Sequence, residues 1–148
     1  MIRRRILPVV LLLGALAVAL WASPAAAQPP GVEQELLALS TVSYSSAIGG
    51  PADIYIGRLR LAPGANYGGW HTHPGPVWIN VTSGTLTVYG PDGCATGYAS
   101  GTGYEASPAT LYDLRNEGDT PVEIAFAGAV PAGGTPTTYV GDGPTCGG

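Results

Sequence analysis

The chain contains two histidines, His71 and His73, which are separated by a single threonine. Side chains alternate between the two faces of a β-strand, so residues spaced i and i+2 point to the same side. Imidazole is the commonest metal-binding side chain, and the pair therefore predicts a site for iron, manganese, zinc or copper. The alternative is a pair of hydrogen-bonded histidines without metal, because a stable site normally uses at least three protein ligands.

Aromatic residues with polar tips are frequent in the chain. The sequence has eight tyrosines and three tryptophans but a single phenylalanine. Such side chains combine a large apolar surface with one hydrogen-bonding group, which suits contact with a small molecule or a glycan. Ordinary packing inside a barrel is the other explanation. We predict a pocket lined by Trp70, Val77 and Trp78 beside the histidines.

The start of the chain has the three parts of a secretory signal peptide. Residues 3–5 are arginines, residues 6–21 form an apolar run, and residues 23–27 are Ser-Pro-Ala-Ala-Ala. The run is shorter than the roughly 20 residues that a membrane-spanning helix needs, and Pro8 and Gly14 interrupt it. We predict cleavage after Ala27 and export by the unfolded route, although the arginines also suit a twin-arginine signal. The mature protein is then extracellular or periplasmic.

Cleavage would leave a chain with few cations. Arg58, Arg60 and Arg115 remain against ten acidic residues, there is no lysine, and the formal net charge becomes three minus ten, or −7. Nucleic acid is an unsuitable partner for such a surface, because phosphate backbones are bound through lysine and arginine. Stable association with anionic membranes is disfavoured for the same reason.

The cleaved chain is long enough for one domain with a core and too short for two. We divide it into an N-terminal segment, residues 28–51, and a barrel domain with a C-terminal tail, residues 52–148. Residues 33–45 could form a helix or an edge strand, because their periodicity does not distinguish the two. Cys94 and Cys146 are the two cysteines of the chain, and in an oxidising compartment we expect them to pair.

From residue 53 onward, short apolar runs alternate with turns rich in glycine and proline. We expect two hairpins, one turning at Gly84 and the other at residues 116–119. Short strands at regular spacing without a convincing helix indicate an all-β sandwich or barrel. The strongest strand candidates are residues 53–61, 77–82, 85–89, 110–115 and 122–130.

The spacing around the histidines resembles the first signature of the cupins, a family of small β-barrels. In that signature Pro-Gly is followed by six residues, His-x-His, three residues, Glu, six residues and Gly. The spacing matches throughout this chain, and only the glutamate is replaced. The corresponding residues are Pro63, Gly64, His71, His73, Val77 and Gly84.

A second cupin signature, with Gly, Pro, His and Asn in order, is matched in part. The resemblance extends over residues 54–131 and implies an all-β fold, a single double-stranded β-helix or jelly-roll barrel. It also implies that the two histidines lie inside the barrel. The counterparts of the second signature are Gly101, Pro108, Tyr112 and Asn116.

Cupins bind metal through the two histidines and the glutamate of the first signature and the histidine of the second. Val77 cannot ligate a metal, and Tyr112 could do so only as a phenolate, whose pKa of about 10 the metal would have to lower. The resemblance therefore implies an incomplete site formed by His71, His73 and Tyr112, for Fe, Mn or Cu, or no metal at all. Glu105 is a reserve carboxylate near the barrel mouth.

The resemblance implies a secreted small-molecule-binding module with an incomplete metal site. The alternative is a metal-dependent enzyme of the oxygenase or isomerase type that uses His71, His73 and Tyr112. A structural exported protein is a third candidate. Cupins often pair, so a homodimer is also expected.

Overall fold

A computed structural model describes residues 28–147 of the chain. The predicted signal peptide, residues 1–27, lies outside the described residues, so its cleavage and the export of the protein stay predictions. Within residues 28–147, no helix has the length and apolar character that crossing a membrane requires.

The described chain folds into strands joined by turns, as its short apolar runs predict, and the expected all-β class is confirmed. The strands are β1 (Val32–Ser45), β2 (Gly50–Leu61), β3 (His71–Thr72), β4 (Val77–Ser83), β5 (Thr85–Tyr89), β6 (Ala95–Ala99), β7 (Gly103–Ala106), β8 (Asp113–Arg115), β9 (Val122–Pro131) and β10 (Thr138–Tyr139).

The larger sheet has the strand order β1-β2-β9-β4-β7, and all neighbouring strands are antiparallel. Alternation along β4 gives this sheet an inner and an outer face. Val77, Ile79 and Val81 are buried, whereas Trp78 and Asn80 between them are exposed. The inner face is therefore apolar, and a second layer removes it from water.

The second layer consists of the sheet β6-β5-β8 and the strand pair β10-β3. An isolated bridge between His71 and Tyr112 joins these parts through backbone hydrogen bonds of 2.9 and 3.0 Å. The core fills the space between the two layers, and Leu61, Leu86 and Ile124 are among its most buried members. The two antiparallel layers form the predicted jelly-roll barrel.

The two predicted hairpins are wrong. β4 and β5 belong to different sheets, so the chain crosses from one layer to the other at Gly84. This residue has a φ of 76°, and a Cβ here would lie 2.7 Å from the Pro121 carbonyl oxygen, so only glycine fits. β8 and β9 are also in separate sheets, and residues 116–119 form another crossing. A jelly roll pairs strands that are distant in sequence, which local turn signals cannot indicate.

Residues 33–45 are part of an edge strand, which settles the choice between helix and strand. β1 pairs with β2 in an antiparallel ladder that runs from Val32 opposite Leu61 to Ser45 opposite Gly50. β2 begins at Gly50, so the predicted division at residue 52 falls inside this strand. β1 therefore belongs to the same sheet as the rest of the barrel.

The C-terminal tail returns across the second layer. β10 pairs with β3, which places Tyr139 opposite His71. The predicted disulfide between Cys94 and Cys146 is confirmed. It joins residues 52 positions apart, and on the chain-entropy model a loop of this size stabilises the fold by about 4 kcal/mol. The tail is thus fastened across the strand that carries the first histidine.

Candidate functional site

A cavity of about 340 Å³ lies between the inner face of the larger sheet and the histidine segment. Small-molecule pockets typically have volumes of about 300–1,000 Å³, so this one suits a compact ligand. Aliphatic and aromatic side chains form most of its wall. The lining residues are Gln34, Leu36, Leu39, Asp53, Tyr55, Leu59, Tyr67, His71, His73, Val77, Ile79, Leu114, Ile124, Phe126, Val130, Gly134, Pro136 and Thr137.

Each histidine of the cavity is held by a backbone carbonyl. His71 Nδ1 lies 2.8 Å from the Gly69 oxygen, and His73 Nδ1 lies 2.8 Å from the Pro136 oxygen. A carbonyl oxygen can only accept, so in both rings Nδ1 carries the proton and Nε2 keeps a lone pair. The ring centroids are 5.1 Å apart. The two rings, each with one acceptor nitrogen, therefore lie next to each other in the cavity wall.

Burial keeps both imidazoles neutral. It lowers the pKa of His71 and of His73 below the ordinary value of 6.5, against the opposing effect of the carbonyl hydrogen bonds. His71 is fully buried, and its Nε2 has no hydrogen-bond partner within residues 28–147. A buried acceptor without a partner costs about 1–3 kcal/mol. A ligand that donated to this nitrogen would recover that cost.

Two tyrosines stand around the His71 ring. The ring centroids of Tyr67 and Tyr139 lie 5.2 and 5.7 Å from that of His71. The Tyr67 hydroxyl donates to Gln34 Oε1 at 3.1 Å. Burial raises the pKa of Tyr67 above its ordinary value of 10.0, so this side chain is a neutral phenol.

Sequence reasoning missed the cavity residues of β1 and of the segment after β9. Gln34, Leu36 and Leu39 line the cavity, and a register shift between Leu36 and Ala38 brings Leu39 to the same face as Leu36. Gln34 and Leu36 are two positions apart, so they share one face if this segment is a strand. The sequence therefore contained a signal that could have placed both in the cavity wall. The backbone carbonyl of Pro136 accepts a hydrogen bond from His73 Nδ1. Residue types in the sequence do not predict such a contact with the backbone.

Of the predicted pocket residues, Val77 lines the cavity and the two tryptophans do not. Trp78 follows Val77 on β4, so alternation places it on the outer face, where it is 41% exposed. There it donates from Nε1 to Glu105 Oε2 at 3.0 Å. Trp70 is buried beside Tyr89, with ring centroids 6.4 Å apart. The prediction that both tryptophans line the pocket is corrected.

The predicted third metal ligand also lies elsewhere. Tyr112 bonds to His71 through the backbone, but its hydroxyl accepts a hydrogen bond from the Ser107 amide at 3.2 Å. Its ring centroid is 6.0 Å from that of Tyr104, and the residue is not part of the cavity wall. Glu105, the reserve carboxylate, is engaged on the outer face. Neither residue joins the histidines in the cavity.

The donor set of the cavity does not fit a resident metal ion. No group of three or more His, Cys, Asp or Glu side chains that could hold a metal occurs in residues 28–147. Position 77, where a third ligand would be needed, presents only the methyl groups of valine. Two imidazoles fall short of the three protein ligands that catalytic metal sites use.

The fold and the site define a class, a small jelly-roll barrel with a ligand cavity inside it. Comparison with family models gives the family: the model described as Cupin domain matches residues 57–128. The chain belongs to the cupin superfamily. No curated protein matches it.

Solved structures share this fold at low sequence identity. An uncharacterized conserved protein with a double-stranded β-helix domain from Klebsiella pneumoniae is 19% identical with a TM-score of 0.58, covering 81% of this chain and 90% of that one. A cupin domain from Bordetella pertussis is 18% identical with a TM-score of 0.50, covering 67% and 93%. Oxalate oxidase in complex with glycolate is 17% identical with a TM-score of 0.55, covering 76% and 56%. At these identities the likeness shows the fold alone.

Proposed function

We propose that the mature protein is a secreted binding module that holds a small molecule in the barrel cavity. The observation that carries this proposal is the buried Nε2 of His71, which has no partner within residues 28–147 and belongs to a ring of the cavity wall. Cupin domains bind small-molecule ligands.

The apolar wall would supply most of the affinity. Burial of apolar surface stabilises by about 25 cal/mol per Å², and a few polar groups then fix the orientation of the ligand. Leu59, Ile79 and Ile124 lie on the inner face of the larger sheet and oppose the histidine segment. A ligand would thus contact aliphatic side chains along its length and imidazoles at one end.

A metal-dependent enzyme of the oxygenase or isomerase type, using iron, manganese or copper, is the second candidate. One observation favours it: each histidine donates Nδ1–H to a carbonyl and keeps Nε2 free, as metal-binding histidines do. It lacks a third ligand, because Val77 is apolar and the Tyr112 hydroxyl is engaged with the Ser107 amide. The binding module is therefore the better supported of the two.

We also propose that the protein acts outside the cytoplasm, in the periplasm or the extracellular space. The signal-like start of the chain and the disulfide support this, since disulfides persist in oxidising compartments. The acidic surface gives no support for a nucleic-acid partner or for stable membrane association.

The binding function is tested with N-phenyl-1-naphthylamine, a neutral dye that fluoresces in apolar surroundings. We expect the tag-free mature protein to bind one dye molecule saturably. Val77→Phe, which fills the cavity, should weaken binding by about tenfold or more, as expected when a well-packed site is overfilled. Asn80→Phe on the outer face of the same strand is the control. Equal dye binding by both variants would contradict the proposal.

A further inference from the structure

The charges around the cavity discriminate among the molecules that it could take. None of the lining residues is lysine or arginine. Arg115 is paired with the buried Asp113 at 2.6 Å, and Arg58 and Arg60 flank the inward-facing Leu59 and so lie on the outer face of β2. An anionic ligand would lose its hydration in this cavity without gaining a cation.

An acidic residue of the cavity wall also disfavours anionic ligands. Asp53 lines the cavity and accepts hydrogen bonds from the Thr41 hydroxyl at 2.6 Å and from the Gly133 amide at 2.8 Å. These hydrogen bonds lower the pKa of Asp53, so its carboxylate is ionised at neutral pH. Both hydrogen bonds lie at the protein surface, so water screens the repulsion that this carboxylate exerts on anions, and the absence of a cation in the cavity wall is the larger effect.

From these placements we propose that the cavity selects uncharged molecules with an apolar body and one hydroxyl or N–H donor, which donates directly to Nε2 of His71. The inference rests on the proposed binding function. Both imidazoles hold their proton on Nδ1, so the two Nε2 atoms can accept but not donate. The donor of the ligand would satisfy the buried Nε2 of His71, which is otherwise without a partner in the described chain.

Three bicyclic probes of similar shape separate the possibilities: 2-naphthol, naphthalene and 2-naphthoate. Each is titrated into chelator-treated, tag-free mature protein at neutral pH, with calorimetry as the readout. We expect 2-naphthol to bind about tenfold more tightly than naphthalene, because a hydrogen bond to a buried acceptor changes affinity by roughly that factor. We expect 2-naphthoate to bind most weakly of the three, because its charge is desolvated without a partner.

Variants then assign the preference to the imidazole. His71→Leu should abolish the preference, so that 2-naphthol and naphthalene bind this variant with similar affinity. Trp78→Leu, on the outer face, should retain the preference of the wild type. Because the three probes are also compared on the wild-type protein, a His71 variant that failed to fold would not remove the test.

These experiments distinguish failure of the proposed ligand class from failure of the binding function itself. Naphthalene binding as tightly as 2-naphthol, or 2-naphthoate binding best, would overturn the ligand class and leave the binding function standing. If neither the neutral dye nor any of the three probes bound, the binding function itself would fall.

Discussion

Asn116 and His71 are both buried polar residues of the same barrel, but their hydrogen bonding differs. Asn116 is 1% exposed, and its amide donates to the Leu61 and Thr120 oxygens at 3.0 and 2.8 Å and accepts from the Gly118 nitrogen at 3.0 Å. His71 is 0% exposed and leaves Nε2 without a partner in residues 28–147. Buried polar groups are normally bonded. The difference separates a residue whose hydrogen bonds hold the fold together from one that keeps an unsatisfied acceptor and belongs to the cavity wall.

Two other buried atoms of the described chain lack a partner, Asp113 Oδ1 and the Tyr104 hydroxyl. Neither residue lines the cavity. The second oxygen of Asp113 is bonded to Arg115 and to Asn66. Among these three groups, His71 alone combines an unsatisfied atom with a place in the cavity wall.

Removal of the disulfide should have the largest effect on stability. It should loosen the region around His71 more than the region around Asn116. Replacing Cys94 and Cys146 with serine is expected to lower the free energy of unfolding by about 4 kcal/mol, measured by urea denaturation. Hydrogen exchange should show β10 opening while the amide of Gly118 stays protected. A loss below about 1 kcal/mol, or equal opening of both regions, would contradict this account.

Asn116→Ala should come next, because it removes the donor from the buried Leu61 carbonyl and from the Thr120 carbonyl. We expect a loss of about 2–4 kcal/mol in the free energy of unfolding, with dye binding retained under conditions where the variant is folded. Asn80→Ala, on the exposed outer face, is the matched control and should change stability by no more than about 0.5 kcal/mol. If the two variants cost the same, Asn116 is not the structural residue proposed here.

Val77→Glu places a carboxylate at the position of the missing cupin ligand. In metal-free protein it should cost about 1–3 kcal/mol, because a carboxyl group is buried among apolar side chains. Calorimetric titration with Mn²⁺ should show a site that the wild type lacks, and Mn²⁺ should restore the lost stability. Val77→Gln is the control, since an amide is a poorer ligand of similar size. Equal Mn²⁺ affinity in all three proteins would show that position 77 is not a ligand position.

The pH dependence of stability should be the smallest of these effects, and the titration of the two histidines should cause it. Burial lowers the pKa of His71 and His73 in the folded protein, so below about pH 6.5 the unfolded chain takes up protons first. The free energy of unfolding should therefore fall as the pH drops through this region, measured by urea denaturation at several pH values. His71→Leu should make the fall shallower, whereas Asn116→Ala should leave its slope unchanged. A steeper fall in His71→Leu would refute the assignment.

The fold could be predicted because the cupin spacing is carried by residues with strict local requirements. Gly84 turns the chain at a positive φ, and His71 and His73 share the inward face of an extended segment. The same alternation rule excludes Val77 and Trp78 from one pocket, since they are neighbours on β4. The error at Trp78 was therefore avoidable from the sequence.

Other parts of the site could not be predicted from residue types. The bond that orients His73 comes from the backbone of Pro136, 63 residues further along the chain. The pairing of β4 with β9, and of β5 with β8, depends on long-range closure of the barrel, which turn residues do not encode. The engagement of Tyr112 with the Ser107 amide is likewise a contact of the folded state.

The central claim is that His71 and His73 form the polar end of a small-molecule cavity and do not hold a metal ion. Elemental analysis of the mature protein, purified without a histidine tag, tests it most directly. The account predicts far less than one equivalent of iron, manganese or copper, and the same content in His71→Ala. One equivalent of metal in the wild type that is lost in His71→Ala would contradict the claim.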